Sequence, residues 1–176
     1  VSDAQWATFC DALGFADRAE ALGANLGAGA ALDGGNAYLS ALKENLDPSV
    51  ALFAQMLTQP TFDTKEIERV RASWISGIKQ EKARPNSAAQ RLLPPLIYGE
   101  GHPYAIPFSG TGSEASIASL NRDDLVAFHK AWVRPEGATL IVTGDTTLAE
   151  ILPVLEKHLG SWKGEGAAPT PVAVPA

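Results

Sequence analysis

An α+β fold, with a largely antiparallel sheet and helices packed on one face, is predicted by three features of this 176-residue chain. Apolar stripes of helical period recur through most of its length. One segment alternates apolar and polar residues after tight-turn chemistry, and few strands adjoin a βαβ crossover. The length suits one domain, and a 45% hydrophobic composition can build its core.

Val1 to Gly23 reads as helical, with Leu13, Ala16, Ala19 and Leu22 three apart and Gly23 as a C-terminal stop. Asn25–Leu32 is rich in Ala and Gly, Asp33-Gly34-Gly35-Asn36 is turn chemistry, and Ala37–Lys43 alternates, which together predict a β-hairpin. Its small residues predict close packing over one face. Asp47-Pro48 opens a helix, Asp as cap and Pro in the first position, with Val50, Phe53, Ala54 and Leu57 as its stripe and Pro60 at its end. Asp63 or Thr64 caps a longer helix to about Lys82, whose Ile67, Val70, Trp74, Ile75 and Ile78 keep the helical period. Arg84-Pro85-Asn86-Ser87 interrupts it and caps a helix over Ala88–Tyr98.

Gly99 to Gly112, with four glycines and two prolines, is a loop. Asn121 caps the next helix, where Asp123 and Asp124 complement the dipole and Leu125, Phe128 and Trp132 form the apolar face. Thr139–Thr143 (TLIVT) has the composition of a short buried strand bounded by Gly144-Asp145. Thr147 begins a last helix in which Leu148, Ile151, Leu152, Leu155 and Leu159 share a side, Pro153 favours a kink and Gly160 closes. Residues 1–163 therefore read as a single domain, expected to be cut short at its start. Residues 164–176, small and proline-rich, read as a linker to a following domain.

The net charge of −6 and the absence of a basic run argue against nucleic acid as partner. Cys10 is the only cysteine, so neither an internal disulfide nor a cysteine-rich zinc site can form. No stretch is apolar for long enough to span a bilayer, and no signal peptide is present, although a chain beginning at Val1 can have lost its natural start.

Four collinear runs carry a resemblance: ALFAQMLTQPTFDTKEIERVR, GEGHPYAIPFSGT, LNRDDLVAFHKAWVRPEGATLIVTGD and LEKHLGSWKG. Together they resemble the pitrilysin/insulinase family of metallopeptidases, from about Ala19 to Lys163. The resemblance implies the α+β domain of pitrilysin and mitochondrial processing peptidase. In an active domain of that family an inverted His-x-x-Glu-His motif holds zinc, and its glutamate activates water. Here His102, His129 and His158 are the only histidines and no two are four apart. The family's third ligand is a glutamate following a Glu-Arg-Glu-Arg stretch, which resembles Glu68-Arg69-Val70-Arg71. The adjacent acidic position then falls on Val70 and the ligand position on Gly77, and neither side chain can bind zinc.

What the resemblance implies is a zinc-less, second-half domain with no catalytic and no metal-binding residue of its own. Such a domain forms part of a peptide-enclosing chamber and meets a catalytic half that carries the zinc, in the same polypeptide or in a partner subunit. The alternative is a structural scaffold subunit of a larger complex with no peptidase role. Two-half relatives are often exported, which implies a periplasmic or secreted location.

Each remaining candidate has a bland explanation beside the chemical one. Gly77 within a helix predicts close packing by a neighbour, with Trp74 alongside. His102 reads as a loop anchor, His129 as a partly buried, hydrogen-bonded histidine, and His158 as a dipole partner at a helix end. Glu81, a full turn or about 6 Å beyond Gly77, has no histidine pair with which to complete a metal site. Asp123-Asp124 fits helix-start electrostatics better than acid–base work, and Lys65 to Arg69 is a solvated, locally paired helix face.

Overall fold

The computed structural model describes residues 15–166. Most of the helix expected over Val1–Gly23, Cys10 with it, and all but the start of the expected linker lie outside those residues.

Helix α1 (Phe15–Ala21) ends at Gly23, whose φ of 61° is the left-handed conformation a glycine stop supplies. Strands β1 (Asn25–Ala30) and β2 (Gly35–Ser40) pair antiparallel, with Leu26 opposite Leu39, Ala28 opposite Ala37 and Ala30 opposite Gly35. Leu26, Ala28, Ala37 and Leu39 therefore share one face. They pack with Phe15, Ala19, Leu52, Phe53 and Met56 into the core. On the other face Gly27 lies under the Tyr38 ring, and a Cβ at Gly27 would come within 2.9 Å of it. The close approach expected of the small residues is thus made by the hairpin's own tyrosine.

A 3₁₀ turn (Lys43–Asn45) leads into α2 (Leu46–Thr58). The expected Asp47 cap is corrected: the helix starts at Leu46, two residues before the expected Pro48, and the residue before it, Asn45, makes no side-chain cap. Asn45 Nδ2 instead donates to the Leu22 carbonyl (2.9 Å), tying the hairpin's exit to the end of α1. Asp47, free of capping, accepts from Lys157 Nζ (2.9 Å) and His158 Nε2 (3.1 Å) on the last helix.

Helix α3 (Thr64–Ala83) is capped as expected, Asp63 Oδ1 accepting from the amides of Lys65 and Glu66. Ile67 and Ile78 are buried on it, and it packs against α4 and α5. Helix α4 (Pro85–Tyr98) begins three residues before the expected Ala88, because Arg84 takes an extended conformation and Pro85 occupies the first turn, where its fixed φ is suited. Helix α5 (Glu114–Ser119) was not anticipated. Its capping box joins Ser113 and Ser116, and Arg71 Nη1 donates to the Ile117 and Ala118 carbonyls at its far end.

Helix α6 (Arg122–Trp132) carries a reciprocal cap between Asn121 and Asp124, and α7 (Leu148–Leu159) another between Thr147 and Glu150. The apolar faces expected of both are corrected. Phe128 and Trp132 are 58% and 53% exposed on α6, and Ile151 is the buried member of the stripe on α7. Thr139–Thr143 is corrected too: no described element pairs with it, so it forms no strand, and Ile141 is 80% exposed. Strand composition cannot produce a strand without a neighbouring backbone to receive its hydrogen bonds.

The α+β class and the antiparallel pairing hold, with helices α1 and α2 on one face of the hairpin. The Asp47 carboxyl lies below its ordinary pKa because Lys157 and then His158 hydrogen-bond its charged form. A depressed carboxyl stabilises the fold above its unfolded pKa of about 3.9 and loses that contribution as pH falls through the lower folded value. Wild type is therefore expected to lose more stability than Asp47→Asn on acidification from pH 5 to pH 3, as measured by urea midpoints.

Candidate functional site

Val70, Trp74, Gly77 and Glu81 fall at three- and four-residue spacings along α3 and so share a face. Val70, Trp74 and Gly77 are each partly buried. The packing expected against Gly77 is corrected: a Cβ built there meets nothing within 4 Å. Valine and glycine present no lone pair to this face, so it does not fit a zinc ion.

Glu81 is occupied by other partners. Its Oε2 accepts from Arg91 Nη1 on α4 (2.7 Å) and from the Thr111 hydroxyl (2.9 Å), with the Ser109 hydroxyl at 3.4 Å. Arg91 Nη1 also donates to Thr111 Oγ1 (2.7 Å), and its Nη2 donates to the Gly112 carbonyl. Trp74 Nε1 donates to the Thr111 carbonyl (3.0 Å). The Arg91 side chain is 9% exposed and Thr111 6%. A carboxylate held this way is a clasp for the loop rather than a metal ligand. Gly112, at φ 69°, lets the chain turn from the clasp into α5. Arg91, Ser109 and Thr111 were not singled out from sequence; the one available signal was a lone arginine in an apolar helix.

His102 packs within the same loop as an anchor. Its ring stacks on Tyr98 (centroids 5.0 Å apart), and its Nδ1 accepts from the Tyr104 amide (3.1 Å). Tyr104 donates its phenol to Asp33 at the hairpin tip, and that hydrogen bond, with the carboxylate's charge behind it, raises the phenol above its ordinary pKa. An open recess of about 410 Å³ lies between Ala30–Asp33 and Phe108–Gly110; among the described residues Asp33 is the one ionisable side chain lining it.

His129 Nε2 donates to the Leu57 carbonyl (2.8 Å), with the Phe62 ring edge-on, the partly buried bonded histidine expected. His158 ends α7 but faces Asp47, a partner the dipole argument did not reveal. Asp123 and Asp124 sit in the first turn of α6, and their amides donate to Asn121 Oδ1. The structure thus brings none of the three histidines to Glu81. Among the described residues, no three His, Cys, Asp or Glu side chains form a group able to hold a metal ion.

Residues 9–106 match the family model of the insulinase peptidases, M16, over more than half of the chain. The chain belongs to that family. Residues 119–176 match the model of the M16 inactive domain. The chain is 28% identical over 131 residues to the uncharacterized zinc protease YmxG of Bacillus subtilis, covering 74% of this chain and 31% of that protein. A peptidase M16 inactive domain from Pseudomonas fluorescens superimposes with a TM-score of 0.82 at 27% identity, over 92% of this chain and 39% of that one. The periplasmic protease PqqL of Escherichia coli shares the fold alone, with a TM-score of 0.73 at 19% identity over 94% of this chain and 18% of that one. This M16 chain thus spans about a third of its bacterial zinc-protease relative.

Two substitutions separate the parts of this face. Gly77→Ala, with space for its methyl, is expected to raise stability by about 1 kcal/mol in chemical denaturation. Arg91→Met, which strands Glu81 without its cation, is expected to cost about 2–4 kcal/mol, and Arg91→Met with Glu81→Gln less than the two singly.

Proposed function

We propose that this chain is a non-catalytic domain of an M16 zinc protease, walling part of a peptide-enclosing chamber and meeting a catalytic half that holds the zinc. One observation carries the reading. The face of α3 that would offer two carboxylates to a metal offers Val70 and Gly77, and Glu81, one turn beyond Gly77, is closed by Arg91. Match to the inactive-domain model supports it. On this reading residues 1–163 are the domain and 164–176 lead to the next one. The substrate is a peptide, and the compartment is the periplasm, the location of the structurally similar PqqL.

The division of labour follows from the chemistry. Zinc-dependent peptide hydrolysis needs a bound water made acidic by the metal and a base to take its proton. Neither can be assembled on α3, so the domain's part is enclosure, which excludes bulk water and orients an unfolded peptide.

After purification free of chelators and refilling with zinc, elemental analysis is expected to find no stoichiometric metal in this chain. A quenched fluorogenic peptide is expected to stay intact with the chain alone. One tightly held zinc per chain, or hydrolysis that survives further purification, overturns the proposal.

A further inference from the structure

By composition the chain from Gly164 onward is a free tail, small and proline-rich. Its first residues are nevertheless each held. Gly164 donates its amide to Glu136 Oε1 (3.2 Å), the Gly166 carbonyl accepts from Arg134 Nη2 (3.2 Å), and Glu165 pairs with Lys130 Nζ on α6 (2.9 Å). Arg134 Nε also donates to Glu136 Oε2 (3.0 Å), so one ion pair presents an acceptor and a donor side by side. These meet the N–H of one residue and the C=O of the residue two further on, which is the main chain of a single tripeptide. The Arg134 side chain is only 9% exposed, and among the described residues its Nη1 is buried without a partner. An aliphatic side chain would lose less solvation there. Packing alone therefore does not account for the arginine; its bonds to Glu136 and Gly166 do.

Space, and not backbone conformation, calls for glycine at 164, because its φ is not positive. A Cβ there would lie 2.7 Å from Arg134 Cζ and nearer still to Glu136 Oε2. A guanidinium so enclosed has no room to swing aside. Just before it Trp162 donates its amide to the Leu159 carbonyl (2.9 Å), and with Val126 and Val133 it lines a recess of about 240 Å³ beside α6.

We infer that Arg134 and Glu136 form a seat for the outgoing main chain at Gly164–Gly166, with Lys130 as its third point, so that these residues belong to the rigid body and fix where the chain leaves it. The exposed Lys130–Glu165 pair contributes little by itself, and the enclosed Arg134 is the part on which the seat depends. On the proposed function the tether to a following domain then starts after Gly166 rather than after Lys163; that consequence rests on the functional reading, whereas the seat does not.

Backbone ¹⁵N relaxation in this chain tests the inference. Order parameters at Gly164–Gly166 are expected to match those of α6 in wild type, at about 0.85, and to fall below about 0.6 in Gly164→Ala while α6 is unchanged. Glu136→Ala, which removes the acceptor, is expected to release the same three residues. Values below about 0.6 in wild type overturn the inference, as does Gly164→Ala that leaves them unmoved. Loss of order throughout α6 in Gly164→Ala, with a lowered urea midpoint, overturns it too, because the pair would then hold the helix and not the exit. Should Glu136→Ala fail to fold, Gly164→Ala decides, since it alters no helix. Zinc content and peptide hydrolysis do not enter these readouts, so failure here is distinct from failure of the proposed function.

Discussion

Where Glu81 meets Arg91 the glycine-rich connection between α4 and α5 is fastened to the long helix. A loop with glycines at positions 99, 101, 110 and 112 has large conformational freedom to lose, and little side-chain area to bury in exchange. The structure answers with charge-assisted hydrogen bonds in a poorly solvated place: the carboxylate, the guanidinium and the Thr111 hydroxyl contact one another within 2.9 Å. Trp74 adds a bond from the same helix to the loop's Thr111 carbonyl. With Arg91 nearly enclosed, loss of either charge leaves the other without compensation, and this makes the clasp a strong constraint on the loop.

The same clasp occupies the carboxylate of α3. A carboxylate facing an empty position could be recruited to a cation; one that is already bonded to an arginine and two hydroxyls cannot be recruited without breaking them. Gly77 leaves open space beside it. On these contacts the helix acts as a strut for the loop. A separate core, built from α1, the hairpin and α2, rests on shape and hydrocarbon: Leu26, Leu52, Phe53 and Met56 bury almost completely.

Local chemistry was readable where the partners are close in sequence. The caps at Asp63, Asn121 and Thr147 join residues two or three apart, so backbone geometry alone brings donor and acceptor together. The hairpin was legible for the same reason, with turn residues Asp33 and Gly34 linking strands whose alternation agrees. Asp47 looked like another cap by the same local logic. Its true partners are 110 and 111 residues away, and that competition no local pattern registers. Glu81 with Arg91, and Tyr104 with Asp33, are of the same kind.

By itself the sequence determined the class of fold, the helix starts whose caps are local, the hairpin, and the absence of oxygen or nitrogen ligands in the side chains of Val70 and Gly77. These depend on residue chemistry or on neighbours a few positions apart. Only the tertiary structure decided that Glu81 is clasped, that Gly77 borders open space, and that Phe128 and Trp132 lie at the surface. It also decided that Thr139–Thr143, for all its strand composition, stays unpaired among the described residues. A side chain's chemistry is written in the sequence, but whether a distant backbone or charge arrives to meet it depends on the packing of the whole chain.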